Sequence, residues 1–387
     1  MTRLGIEEFV AAPPSWIQGK RLGLLCNQAS VDRSFRHSRD LIDQVFPGQL
    51  RCLFSPQHGF FAEKQDNMIE SGHDQDKHGR PVFSLYGDTR RPDSSMLDHL
   101  DVLIVDIVDV GTRVYTFMST LAYCMEEAAK LGKQVVVLDR PNPIGGTALE
   151  GNVLADDCRS FVGIERLPMR HGLTFGELAN FLNGESAHPA ELTVVAMKGW
   201  QRDMHFPDTG LPWVFPSPNM PTYASALVYP GQVVWEGTNI SEGRGTTMPF
   251  EVFGAPFLTH DAMLEQLRST PLPGCVLRPV CFEPTSNKWA GLVCVGFQIH
   301  VTDPLVFLPY RTSLAVLGAI MTLYPEGFAL KEPPYEYEFI RSPLDLILGD
   351  SAICQQLAEG RSVLELETKW QPGLAEFSER RHPYLLY

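Results

Sequence analysis

The sequence lacks the short signatures that would name a chemistry outright. None of its eight cysteines forms a CxxC pair, which excludes zinc-ribbon and thioredoxin-type sites. No GxSxG elbow occurs, so a serine nucleophile of the α/β-hydrolase kind has no support. Long basic runs are missing and the net charge is −14, so the counterion release that drives nucleic-acid or anionic-membrane binding has no source. No apolar run approaches the length of a membrane span. The first residues, "MTRLGIEEFVAAPPSW", carry acids where a signal peptide needs an apolar centre. Scattered cysteines in apolar runs such as "RLGLLC" and "GLVCVGF" read as buried free thiols. The expectation is a cytoplasmic protein of enzyme size.

What is present is a pattern of short apolar runs alternating with helical ones. "RLGLLCNQ" (21–28), "LRCLFSPQ" (50–57), "DVLIVDIVDVG" (101–111), "KQVVVLDRPNP" (133–143) and "LTVVAMKG" (192–199) read as buried strands. Between them, "RHSRDLIDQVF", "TFMSTLAYCMEEAAKLG" and "TFGELANFLNGE" carry helical spacing. Near-continuous apolar strands separated by helices predict a parallel sheet covered on both faces. After about residue 250 the pattern changes. "CVLRPVCFEPTSNKWAGLVCVGFQIHV" alternates like antiparallel strands, "YRTSLAVLGAIMTLYP" reads as a helix, and the tail "AEFSERRHPYLLY" as another. At 387 residues two domains are expected. The reading is a Rossmann-like α/β domain over 1–252 and a smaller α+β domain over 253–387, with a cleft between them.

Ligands of parallel sheets sit beyond the carboxyl ends of the strands. Those ends carry Asn27, Gln57, His58, Asp106, Asp109, Asp139, Arg140 and Asn142. A second cluster is "WEGTNISEGRGTTMPFE" (235–251), where Glu236, Glu242, Asn239 and Arg244 stand among glycines that permit close backbone approach. Gln57, His58, Asp109, Arg140 and Asn239 are expected to converge on one cleft. The glycine-rich "NPIGGTALEG" lacks the spacing of a dinucleotide fingerprint and the lysine of a P-loop, so it reads as a sharp connection. "SGHDQDKHG" (71–79) does not match metal-ligand spacing and reads as a solvated loop, so neither metal nor cofactor is expected. Carboxylates then remain as the chemistry-bearing groups: Glu63, Asp66 and Glu70 after "SPQHG", and Glu236 and Glu242. Glycoside hydrolysis needs such groups, one to protonate the leaving oxygen and one to stabilise an oxocarbenium-like centre. Aromatics near these loops, Tyr115 among them, could stack on a sugar face.

Several stretches together resemble a known family. "SPQHGF", "PVFSLYG", "DVGTRVYTFMST", "VVLDRPNPIGG", "LPMRHGLTFGELA", "DTGLPWVFPSPNMPT", "EGTNISEGRGTTMPFEVFGAP" and the terminal "YLLY" are similar, in one collinear order, to the NamZ-like exo-β-N-acetylmuramidases of glycoside hydrolase family 171. The resemblance implies a Rossmann-like domain joined to a smaller one and release of N-acetylmuramic acid from peptidoglycan fragments, without metal or cofactor. A saccharide or muropeptide is then the partner. It also brings His171 of "LPMRHG" and Asn219 of "PSPNMPT" into the substrate-binding set, and makes Arg113, Arg140 and Arg244 candidates for a lactyl carboxylate. One departure matters. Where the family's muramidases carry Pro-Glu-His-Gly, this chain reads Pro56-Gln57-His58-Gly59. Glutamine cannot give up a proton as an acid does. Either another carboxylate takes the role, with Glu63 or Glu242 expected, or the chain is a sugar-binding protein that has lost it.

Overall fold

The computed structural model describes residues 1–65 and 68–387. Among the described residues twelve strands follow one another: β1 (Leu22–Cys26), β2 (Leu50–Ser55), β3 (Asp74–Gln75), β4 (Pro81–Ser84), β5 (Val102–Asp106), β6 (Gln134–Leu138), β7 (Glu150–Val153), β8 (Pro168–Arg170), β9 (Glu191–Val195), β10 (Val252–Ala255), β11 (Cys275–Phe282) and β12 (Cys294–Val301). Seven of them form the main sheet, in the order β3-β4-β2-β1-β5-β6-β9. All its pairings are parallel except the edge pair of β3 with β4. Leaving out β3, this is the order 3-2-1-4-5-6 of a doubly wound Rossmann sheet, with the reversal between β1 and β5.

The five apolar runs of the sequence are all strands of this sheet. β1 and β5 are buried at every residue, which a strand flanked by strands and covered on both faces requires. The helix Phe117–Lys130 and the helix Phe175–Gly184 lie on one side, in a core shared with Val105, Val135 and Val137. On the opposite side the helix Ser38–Val45 joins Leu22, Leu24, Ile104 and Val136 in a second core. Thr174 starts its helix with a reciprocal capping box: its hydroxyl accepts from the Glu177 N–H, and the Glu177 carboxylate accepts from the Thr174 N–H at 3.0 Å.

The second part of the chain builds a three-stranded antiparallel sheet, β10-β12-β11, and the helices Tyr223–Gln232, Pro309–Leu323 and Val363–Arg381. A Cβ at Gly231 would collide with the Pro309 carbonyl, so only glycine lets the first two of these helices approach as closely as they do. The tail helix ends at Arg381, and the chain then runs back to the parallel sheet. There the Tyr387 hydroxyl donates to Asp139 at 2.6 Å and accepts from the Met197 N–H at 2.6 Å. Among the described residues no helix is long and apolar enough to cross a membrane.

Candidate active site

A pocket opens where the loops after β2 and β5 meet the helix Tyr223–Gln232 and the loop before residue 340. Its lining includes Gln57, His58, Tyr115, Asn219, Glu236, Arg244, Tyr335 and Glu336. Residues 235–251 reach it because Trp235 is completely buried: its indole stacks on Phe253 with centroids 5.3 Å apart and donates to Gln232 at 3.1 Å. That anchor turns Glu236 toward the pocket.

Two arrangements of charge meet there. Glu236 accepts from Arg244 Nη2 at 2.6 Å and from the Tyr335 hydroxyl at 2.7 Å. Burial alone would raise its pKa, but the Arg244 guanidinium outweighs it, helped by the Tyr335 hydroxyl, and holds the carboxylate below the usual range. Glu336 behaves oppositely. Burial is the largest influence and pushes it up to about 7, against the hydrogen bonds of Tyr86 and Gln57. The pocket thus contains one carboxyl kept ionised and one able to keep its proton near neutrality, the division of labour that acid–base chemistry at a single centre requires.

The sequence candidates separate into those that line this pocket and those that support it. Gln57, His58, Tyr115, Asn219, Glu236 and Arg244 line it. His58 has a left-handed backbone (φ 74°), and its Nδ1 lies 2.7 Å from the Lys64 carbonyl, which fixes the turn of that loop. Asn219 and Arg244 both donate to the Gln65 carbonyl, at 2.8 and 3.2 Å, and tie the same loop to the second part of the chain. Glu242 is buried behind the pocket, paired with Arg244 at 3.1 Å and Lys288 at 2.7 Å. Glu63 is exposed in a neighbouring groove with Phe60 and Phe61, where its carboxylate accepts from the Phe61 N–H. Asp66 lies outside the described residues.

The remaining candidates are not among the lining residues. Arg113 is fully buried and donates to four carbonyls, of Asn152, Leu167, Ile347 and Leu348. Arg140 is paired with Asp106, at 2.8 Å from its Nη2. Asp139 accepts from Thr174, Gly176 and Tyr387. Asn142 bridges the Leu173 carbonyl and the Ile144 N–H, and Asn239 does the same for Gly327 and Ala329. Asp109 and His171 face each other at 3.8 Å, but burial raises the first to about 7 and lowers the second to about 3, so the imidazole carries no charge near neutrality and the contact is not a salt bridge. The expected convergence of Gln57, His58, Asp109, Arg140 and Asn239 therefore narrows, at this pocket, to the first two. Glu336, Tyr335 and Tyr86 went unnoticed in the sequence. Glu336 is 279 residues from Gln57, and the only local trace is a glutamate between two tyrosines in "PPYEYEF".

A doubly wound sheet, a second antiparallel sheet and a pocket with two oppositely tuned carboxyls together define an α/β protein with a polar, carboxyl-bearing cleft. The chain belongs to the NamZ family: the part described as "Exo-beta-N-acetylmuramidase NamZ, N-terminal" matches residues 22–224, and the C-terminal part matches residues 227–387. It is 43% identical over 384 residues to the peptidoglycan beta-N-acetylmuramidase NamZ of Bacillus subtilis (strain 168), which covers 99% of this chain and 91% of that protein. Two crystal structures of DUF1343 family proteins from Bacteroides fragilis NCTC 9343 share the fold over 100% of this chain and 99% of theirs. Their TM-scores are 0.90 and 0.79, at 33% and 27% identity.

Proposed function

We infer that this protein is a glycosidase of the exo-β-N-acetylmuramidase type, which releases N-acetylmuramic acid or a closely related amino sugar from peptidoglycan fragments. Family membership supports the reaction type. The observation that carries the reading into the structure is the pairing of Glu236 with Glu336 in one buried pocket, one low and one raised in pKa. Substrate contacts are assigned to His58, Tyr115, Asn219, Glu236 and Arg244, whose side chains border the same space. Arg113 and Arg140 take no part in holding a lactyl carboxylate, because neither borders the pocket: Arg113 is buried among backbone carbonyls and Arg140 is paired with Asp106. Arg244 serves chiefly to keep Glu236 charged. A reducing cytoplasm is the proposed setting; eight free cysteines, five of them buried, support it.

The test is incubation of the purified protein with a chromogenic N-acetylmuramide and with a muropeptide digest, followed by mass spectrometry. Free muramic sugar is the expected product. Binding of the sugar with no release in either assay would replace the enzyme by a sugar-binding protein, the reading that Gln57 at position 57 otherwise invites.

A further inference from the structure

Position 57 holds an amide where the family resemblance leads one to expect an acid, and the structure places a different carboxyl beside it. Glu336 is 4% exposed and borders the pocket. Gln57 Nε2 donates to its Oε1 at 3.0 Å, and the Tyr86 hydroxyl donates to its Oε2 at 2.6 Å. The Thr116 hydroxyl donates to Gln57 Oε1, which turns the amide so that its NH₂ side faces the carboxyl. Gln57 Nε2 also reaches the Tyr86 oxygen at 3.1 Å, closing a small ring of three side chains.

The backbone shows that this placement is imposed. Glu336 and Tyr337 are both left-handed, with φ of 48° and 65°, a conformation that non-glycine residues hold only where the surroundings dictate it. Arg90 supplies part of that constraint. It donates to the Glu336 carbonyl at 3.0 Å and lies over the rings of Tyr337 and Phe161, at 4.4 and 5.1 Å.

Other carboxyls near the pocket are less suited to giving a proton. Glu236 is held ionised by Arg244 and Tyr335. Glu242 is flanked by Arg244 and Lys288 and does not reach the lining. Glu63 lies in the neighbouring groove.

We propose that Glu336 is the general acid of this site, with Gln57 as the positioning residue that holds its carboxyl toward the pocket. The proposal rests on the muramidase reading and deepens it. In the reaction the bond from the sugar C1 to the glycosidic oxygen breaks and its electron pair stays on that oxygen. The proton from the Glu336 carboxyl goes to the same oxygen, so the aglycone leaves as a neutral alcohol. The water that finally supplies the new oxygen on C1 gives up one proton, which restores the Glu336 carboxyl. The second carboxylate, Glu236, remains charged throughout and stabilises the positive character at C1.

The experiment compares wild type and Glu336→Gln on two N-acetylmuramides in the same preparation. One carries an unactivated sugar aglycone, and the other a dinitrophenyl aglycone that leaves without a proton. The expected result is a loss of about 10²–10⁴-fold in kcat on the sugar aglycone, and a much smaller loss on the dinitrophenyl substrate. Equal losses on both, as a misfolded variant would also give, or no loss on either, overturn the assignment. A wild type that releases no muramic sugar from either substrate overturns the muramidase reading, and this assignment with it.

Gln57→Leu gives a second, independent readout. The titratable and charged groups facing Glu336 are Tyr86, Tyr229, Tyr335, Tyr337, Glu236 and Arg90. Removing the Gln57 donor takes away a hydrogen bond that lowers the pKa of Glu336. The alkaline limb of kcat/KM should therefore move to higher pH. A lowered rate with an unmoved limb would show that Gln57 is merely structural.

Discussion

Two clusters of acids and arginines lie at the carboxyl side of the sheet, and they end in opposite states. The first sits at the reversal of strand order, where doubly wound folds commonly hold a ligand. There Asp106, at the end of β5, faces Arg140 after β6, and the Ser38 hydroxyl also donates to it. Arg140 spends a further N–H on the Val31 carbonyl. One negative charge meets one positive charge and the polar atoms are satisfied. The second cluster is the pocket. There Arg244 is shared between Glu236 and Glu242, while Glu336 is left with neutral donors, apart from the backbone contact of Arg90. A balanced pair holds the fold together. An unbalanced carboxyl set leaves one member free to choose its protonation state, and that freedom is what chemistry can use.

The contrast is broken most forcefully at the first cluster. Arg140→Met would strand the buried Asp106 charge, at a cost of about 3–5 kcal/mol. Urea denaturation should show that loss, while kcat measured on protein that is still folded should stay close to wild type. A large fall in kcat with stability intact would move Arg140 into the substrate site.

At the pocket the corresponding change is gentler on the fold and harder on the reaction. Arg244→Lys keeps a positive charge but loses the planar fork that serves Glu236 and Glu242 together. A fall of about tenfold or more in kcat/KM is expected, with a stability loss of about 1–2 kcal/mol. If a lactyl-bearing sugar and plain N-acetylglucosamine lose affinity equally, Arg244 acts through the glutamates, as the structure indicates. A loss confined to the lactyl sugar would restore it as a carboxylate receptor.

Buried acids away from the pocket give the fold a pH dependence of its own. Burial raises Asp109 to about 7, Glu150 to about 7 and Asp139 to about 6. A carboxyl with a higher pKa folded than unfolded binds its proton more tightly in the fold. The stabilisation is complete below the unfolded value, near pH 4, and is lost as pH rises through the folded values just given. The melting temperature should accordingly fall between about pH 5 and pH 8, and Asp109→Asn should flatten part of that slope. A slope identical in the variant would show that Asp109 does not carry this linkage.

The fold was far more legible in the sequence than the site, and the reason is physical. Strands such as "LGLLC" and "VLIVD" announce themselves because burial on both faces demands continuous apolar residues. The antiparallel pair β11 and β12 was readable for a related reason, the alternation of its side chains. β4, in "PVFSLYG", was not read as a strand, because four residues bounded by a proline carry too little pattern. Polar residues at strand ends were read as a group, yet nothing local tells Asp139, which organises a helix start and the chain terminus, from Gln57, which borders the pocket. Glu336 depends on contacts 250 and 279 residues away, with Tyr86 and Gln57, so its setting exists only once the chain has folded.

The smallest effect is expected at Glu63, and it sharpens the comparison because nearness in sequence to Gln57 was its sole claim to be the acid. Its side chain is exposed and lies in the groove beside Phe60 and Phe61, outside the lining of the pocket. Its carboxylate accepts a hydrogen bond from the Phe61 N–H at 3.2 Å, a bond that an amide oxygen can accept equally well. Glu63→Gln therefore keeps the local turn and removes only a solvated charge. Stability should stay within about 0.5 kcal/mol of wild type, as for surface substitutions generally. Turnover should stay within about twofold on both activated and unactivated N-acetylmuramides, since no proton passes through this carboxyl. A loss on the sugar aglycone that the dinitrophenyl substrate rescues would mean that the loop carrying Glu63 closes over the pocket during the reaction. Glu63, and not Glu336, would then deliver the proton.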